Sequence, residues 1–256
     1  TGPEPGAEMQ QPRSRSARRR TIASAEITRR VDLTDDLWQI WLKPDIPFTF
    51  KPGQYCTIGV DGLERAYSIA SSPRQSELEL FIELVPPPWG NLTPILHKLQ
   101  PGATVSIRPR AKGVFVFKPE VPNHLLVATV TGVVPYVSIL RHYLEEPHGD
   151  FNFFVLEGAS YADEFGYDAE LRAMAAEHDN ITFVPTVSRP TEDRNAGWEG
   201  ETGRVNTVVE KYLERFSLPP SDTVVYACGH PEMIEDVKAR LAGTRYRLEE
   251  ERFWKQ

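Results

Sequence analysis

Between positions 21 and 118 the apolar residues fall in short alternating runs, the period of half-buried strands. Segments 37–42 (LWQIWL), 54–60 (QYCTIGV), 65–70 (RAYSIA), 78–85 (LELFIELV) and 104–108 read as strands. The pairs Pro52 and Gly53, Asp61 and Gly62, Ser72 and Pro73, and Pro101 and Gly102 punctuate them as turns. Many short strands at this spacing predict an antiparallel β-barrel. In this half only 92–99 reads as helix, with Thr93 and Pro94 near its start. After Pro119 the rhythm changes. Strand patterns at 124–130, 151–156, 181–187 and 223–228 alternate with helical patterns at 136–145, 163–178, 205–216 and 232–241. Such alternation predicts a doubly wound parallel sheet covered on both faces, with ligands bound beyond the carboxyl ends of its strands. The expected organisation is a tail over 1–20, a Greek-key β-barrel domain over 21–118 and an α/β domain over 119–256.

At 256 residues the chain has room for two such domains, and its 40% hydrophobic and 25% charged composition is that of a globular protein. A formal net charge of -7 argues against a general nucleic-acid binder, which needs basic surface to neutralise phosphates. The most apolar stretch, 125–140, is interrupted by Thr129, Thr131, Gly132, Pro135 and Ser138, so no membrane span is expected. Cys56 and Cys228 are the only cysteines, too few for a four-cysteine iron–sulfur cluster. In the tail Arg13, Arg15, Arg18, Arg19 and Arg20 crowd together with no apolar run behind them, so a secretory signal is not expected. The expectation there is a disordered segment, with Met9 a candidate natural start. A second reading is a basic arm that attracts an acidic partner.

Two short motifs carry chemistry. In Arg65-Ala66-Tyr67-Ser68, strand alternation puts Arg65 and Tyr67 on one face and Ala66 and Ser68 on the other. An arginine can hold a pyrophosphate, a tyrosine ring can stack on a planar cofactor, and a serine hydroxyl can bond a ring nitrogen. The bland reading is an ordinary edge strand. Gly90-Asn91-Leu92-Thr93 opens the helix of the barrel half, where free amides and the Thr93 hydroxyl would form an anion site. The bland reading there is a plain helix cap.

Taken in order, RAYS, a strand, GNLT and then a parallel α/β half resemble the ferredoxin–NADP reductase family, particularly its bacterial flavodoxin/ferredoxin reductases, over about 21–254. The resemblance continues in 129–136 (TVTGVVPY), similar to the family's glycine-rich nucleotide turn, and in 187–189 (VSR), 202–204 (TGR), 226–233 (YACGHPEM) and the terminal pair Phe253 and Trp254. It implies bound FAD, NADP(H) as hydride partner, a ferredoxin or flavodoxin-like electron carrier, and a cytoplasmic monomer.

Carried over residue by residue, the resemblance implies that Arg65 holds the FAD pyrophosphate while Ala66, Tyr67 and Ser68 border the isoalloxazine. Phe81, Ile82 and Glu83 offer backbone contacts to FAD, and Asn91, Leu92 and Thr93 meet its diphosphate. Thr131 lies where the nicotinamide nucleotide's diphosphate passes. Ser188, Arg189 and Arg204 flank the place of an adenosine 2′-phosphate. Cys228 closes on the nicotinamide as a packing residue without a nucleophilic role, its alternative being a small core residue. Glu251 matches a carboxylate that relays protons or positions the nicotinamide; a solvated surface glutamate is the alternative. Phe253 covers the isoalloxazine and Trp254 the adenine, unless both merely finish a core strand.

Two departures stand out. Val130 replaces the first glycine of the nucleotide turn, and a β-branched residue is expected to exclude positive φ there, so that either the turn differs locally or NADPH binds more weakly. Ser160 stands where close relatives carry an arginine toward the nucleotide phosphates, a loss on the order of 1–3 kcal/mol. Rival functions are the reductase component of an oxygenase system and a flavin-binding relay or regulatory module with weak nucleotide turnover.

Overall fold

The computed structural model describes residues 22–253; the basic tail and Trp254 lie outside the described residues. The first half is a six-stranded antiparallel sheet built from β1 (Ala23–Thr34), β2 (Leu37–Pro44), β3 (Tyr55–Val60), β4 (Leu63–Ser68), β5 (Leu78–Glu83) and β6 (Thr104–Ile107). Its order is β4-β3-β6-β1-β2-β5. Ala70 N–H donates to Glu79 O at 2.8 Å, which draws the two edges together into a barrel. One helical turn, α1 (Thr93–Leu96), lies between β5 and β6. Trp38, Ile40, Leu42, Ile58, Leu80, Ile82 and Ile107 fill the interior.

The longest strand, β1, escapes the reading of apolar runs because Thr28, Arg29 and Arg30 interrupt its alternation. A register shift between Ile27 and Arg29 absorbs the break. Arg30 then turns inward over the Trp38 ring, 5.1 Å from its centroid. There it donates to His97 O and Leu99 O at 2.7 and 2.8 Å, satisfying carbonyls at the end of α1.

The second half is a parallel sheet ordered β10-β9-β8-β7-β11-β12. Its strands are β7 (Asn123–Thr129), β8 (Asn152–Ala159), β9 (Ile181–Val187), β10 (Glu201–Thr202), β11 (Thr223–Gly229) and β12 (Arg247–Arg252). Helices α2 (Val134–Glu145) and α3 (Asp168–Glu177) cover one face; α4 (Val209–Arg215) and α5 (Pro231–Leu241) cover the other. Alternation assigns the faces: Leu126, Ala128, Tyr226 and Cys228 pack toward α2, while Leu125, Val127, Val225 and Ala227 pack toward α5. The helix expected over 163–178 is shorter, because a 3-10 turn at Ala162–Glu164 precedes it and the chain bends at Gly166, φ +79°, against the Phe81 ring. β12 (RLEEER) was hidden by its charges. Among the described residues it pairs only with β11, and its Glu250 is met by Arg252 and by Lys238 of α5.

The two halves share one core, in which Leu37, Ala70, Phe81 and Phe115 meet α2 and α3. At its centre Arg141 of α2 donates to Glu79 of β5 at 3.1 and 3.3 Å and to Glu170 of α3 at 2.8 Å twice. Tyr167 donates to the same Glu79 carboxylate at 2.5 Å. Ser138 donates to Ser71 O at 2.7 Å across the same boundary.

Removing one partner of a buried ion pair leaves the other uncompensated, so Arg141→Ala should cost about 3–5 kcal/mol of stability. Urea unfolding measures it; a loss below about 1 kcal/mol would show that water already screens the pair.

Glu157, in the middle of β8, is fully buried, and neither carboxylate oxygen has a hydrogen-bond partner among the described residues. Burial, with a smaller contribution from Asp168, raises its pKa well above 4.5. The folded state keeps a proton that the unfolded chain releases, so stability is greatest below pH 4.5 and falls as pH rises toward the folded-state pKa. His124 acts oppositely: burial lowers it to about 4, so the unfolded chain gains a proton as pH falls below 6.5. Comparing variants isolates the glutamate. Relative to the parent, Glu157→Gln should gain about 1.4 kcal/mol per pH unit between pH 4.5 and the folded-state pKa of Glu157. Parallel stability–pH curves for the two proteins would rule this out.

Candidate active site

In the parallel sheet the strand order reverses at β7, since β8 lies on one side and β11 on the other. The crevice beyond the carboxyl ends of β7 and β11 is therefore the place for a ligand. Here β7 runs into a 3-10 turn, Val130–Val133, which leads directly into α2. A Cβ at Gly132 would lie 2.1 Å from Cys228 O, so only glycine lets the turn press against the end of β11. Thr129 Oγ1 accepts from His230 N–H at 2.9 Å and stitches the two ends together.

Val130 corrects the sequence expectation. Its φ is +40°, so the valine occupies the left-handed conformation it was expected to exclude. That conformation costs a non-glycine residue roughly 1–2 kcal/mol. The Thr129–His230 bond and the Gly132 contact leave the backbone no alternative, and the valine side chain packs against two apolar clusters.

Opposite this turn a cleft of about 1110 Å³ opens between the two halves. Arg65, Ala66, Tyr67 and Ser68 all border it, because β4 is an edge strand and the cleft wraps around that edge. Arg65 Nη2 donates to Asn91 Oδ1 at 2.8 Å, so the two sequence motifs meet in space. Ser68 Oγ is buried with no hydrogen-bond partner among the described residues. Phe81 and Glu83 face the cleft, whereas the Ile82 side chain points into the barrel core. Burial, then Asp36 and Glu164, push the Glu83 carboxyl up to about 7.

Leu92 and Thr93 also border the cleft. The Thr93 hydroxyl, read from sequence as part of an anion site, is already engaged: it donates to Val85 O at 3.0 Å and accepts from Val85 N–H at 2.9 Å. Its visible work is to fasten the end of β5 to α1.

The other wall holds Thr131, Glu251 and Phe253. Glu251 pairs in register with Cys228, and Phe253 N–H donates to Gly229 O at 3.0 Å, which carries the chain end across the crevice. Cys228 is fully buried and burial holds its thiol protonated, as a packing residue would be. Cys56 is likewise buried, its thiol pushed up to about 12, and neither cysteine is in a disulfide.

Ser188, Arg189 and Arg204 lie away from this cleft, beyond the ends of β9 and β10. Arg189 donates to Tyr161 Oη at 3.2 Å and sits 3.7 Å from Glu192; Arg204 is exposed. Sequence reading missed their neighbours. Arg194 stacks on the Tyr161 ring at 4.1 Å, and Asn195 donates to Ser160 O at 2.9 Å. Trp89, Val114, Tyr55 and Arg252, which border the main cleft, were missed as well.

A buried orphan hydroxyl, a tyrosine and an arginine–asparagine pair along one wall fit a flavin dinucleotide: ring, then anion. The cleft exceeds the ordinary range of about 300–1,000 Å³ for small-ligand sites.

Comparisons with known proteins agree. Residues 126–239 match the model of an oxidoreductase NAD-binding domain. The chain is 31% identical over 229 residues to the flavodoxin/ferredoxin–NADP reductase of Escherichia coli, covering 84% of this chain and 88% of that protein. It is 31% identical over 206 residues to the sulfhydrogenase 1 subunit gamma of Pyrococcus furiosus, covering 79% of this chain and 66% of that subunit. The fold superposes on a ferredoxin NADP+ reductase from Neisseria gonorrhoeae with bound FAD and NADP, with TM-score 0.79 and 21% identity, covering 92% of this chain and 100% of that one. A barrel joined to a doubly wound sheet, a cleft shaped for a dinucleotide and these relatives have one consistent reading: the chain belongs to the ferredoxin/flavodoxin–NADP reductase family.

Proposed function

We propose that the protein is a ferredoxin- or flavodoxin–NADP reductase. The observation that carries this is the cleft itself, with Arg65–Ser68 and Asn91 on one wall, Thr131 and Phe253 on the other, and the Ser68 hydroxyl unpartnered inside it. When bound, FAD supplies the chemistry, taking a hydride from NADPH and exchanging single electrons with a small carrier protein.

The chain's own residues bind, orient and exclude water. Arg65, held by Asn91, answers the pyrophosphate with a planar fork of donors. Ser68 Oγ donates to the flavin ring, and Tyr67 offers its ring as a stacking face. Phe253 covers the ring from the opposite wall. Cys228 stays a neutral spacer behind the nicotinamide, and Glu251 is the carboxylate on that side. The Val130–Val133 turn receives the nucleotide diphosphate through Thr131, while Ser188, Arg189 and Arg204 receive the 2′-phosphate.

Beside the cleft, the segments carrying Lys51 and Lys112 run together: Tyr55 N–H donates to Lys112 O at 2.9 Å. Lys51, Arg110 and Lys112, all exposed, lie on these segments with Val114, which borders the cleft and is 87% exposed. This positive rim with an apolar centre suits an acidic carrier, steered in by charge. No helix among the described residues is long and apolar enough to cross a membrane. In this reading the protein works as a cytoplasmic monomer.

The purified protein should be yellow, hold one FAD per chain and bleach anaerobically on adding NADPH. A folded, colourless protein that takes up no added FAD would remove the central claim. A yellow protein that NADPH bleaches slowly or not at all would instead leave a flavin-binding relay or regulatory module with weak nucleotide turnover.

NADPH should be preferred over NADH. A charge-assisted contact is worth about 1.5–3 kcal/mol, and the exposure of both guanidiniums with Glu192 beside Arg189 argues for the lower end, roughly tenfold. Replacing Arg189 and Arg204 together by alanine should bring kcat/KM for the two nucleotides to parity. Retained preference in the double variant would place phosphate recognition elsewhere.

A further inference from the structure

Trp89 is 74% exposed, yet it borders the same cleft as Arg65 and Ser68. Its loop is tightly tied. Pro86, Pro87 and Pro88 precede it, each with a fixed φ. Gly90 N–H donates to Pro86 O at 3.1 Å, and a Cβ at Gly90 would fall 2.0 Å from Val85 O. The Thr93 hydroxyl holds both the N–H and the O of Val85. A large apolar ring is thus presented to the cleft on backbone with little freedom of its own.

Position gives the ring a use. A dinucleotide carries its diphosphate between two ring systems, so an anion seat at Arg65 and Asn91 requires a ring seat on each side. Tyr67 and Ser68 form one, with Ser68 roughly 10 Å along β4 from Arg65 at the strand rise. Trp89 borders the same cleft from the loop that carries Asn91, two positions before it, and an indole face suits a purine.

We propose that Trp89 is the stacking platform for the adenine of the dinucleotide in this cleft, a role the sequence assigned to Trp254. This rests on the proposed flavin function. The rigid loop settles the ring in place before binding, so less freedom is lost when adenine stacks on it. Because the indole is mostly in water without ligand, its removal leaves the barrel core untouched.

FMN lacks the adenylate, so FAD and FMN binding to the deflavinated full chain, read by flavin fluorescence, isolates the contact. Trp89→Ala should weaken FAD binding roughly five- to a hundredfold, the range of a base–aromatic stack, and leave FMN binding unchanged. Trp89→Phe should recover most of the loss. Three results would overturn the proposal: equal loss for both flavins, no loss for either, or a collapse of the FAD preference in Trp254→Ala with Trp89 intact. A parent chain that binds neither flavin would overturn the flavin function itself, and with it this role.

Discussion

A guanidinium with little access to water joins the two halves of the molecule. The Arg141 side chain is 15% exposed and Glu79 is 5% exposed, so neither charge can be left to solvent. Arg141 comes from the first helix of the parallel half and Glu79 from the edge strand β5 of the barrel, with Glu170 and Tyr167 closing the set. Breaking the domains apart would leave Arg141 with Glu170 but strip the buried Glu79 carboxylate of Arg141 and Tyr167 alike. The consequence reaches the cleft through strand geometry. Glu79, Phe81 and Glu83 share one face of β5, and the Tyr167 ring that donates to Glu79 also meets the Phe81 ring edge-on at 5.7 Å. The bond that fixes the domains therefore also fixes the two side chains that β5 sends into the cleft.

On the parallel side the equivalent constraint is backbone crowding. The ends of β7 and β11 approach until Gly132 touches Cys228 O and Thr129 bonds His230. Val130 is caught between them in a conformation that glycine would adopt at no cost. The Thr129–His230 bond and the Gly132 contact hold it there against a strain of roughly 1–2 kcal/mol. A residue type alone thus did not decide the path of the turn. The strands flanking it did.

This is also where sequence reading reaches its limit. The strand–helix alternation after Pro119 and the RAYS and GNLT motifs were legible because each is local: a period, a turn residue, a few side chains in order. What stayed hidden depends on partners distant in the chain. β1 reads as charged because Arg30 finds the end of α1 and the Trp38 ring, contacts no window around Arg30 contains. β12 reads as a charged tail because its pairing is with β11 alone. Thr93 reads as an anion ligand because sequence does not show that Val85 takes its hydroxyl. Arg65 and Asn91 were each named without any sign that they touch.

The two walls of the cleft are built by different means, and the difference follows from the two sheets. An antiparallel edge offers side chains on a continuous ladder, so Arg65 to Ser68 hold their spacing through pairing with Thr57, Cys56 and their neighbours in β3. Side-chain bonds then brace that wall from outside, Arg65 to Asn91 and Thr93 to Val85. A parallel sheet instead ends its strands at the ligand, so its wall consists of a turn after β7 and the residues that follow β12. Thr131 is set by crowding, whereas Phe253 hangs from Gly229 O just past the last strand. Binding groups that need fixed spacing belong on the first wall. The second wall carries the Phe253 ring past the end of its strand, where turning the side chain disturbs no ladder.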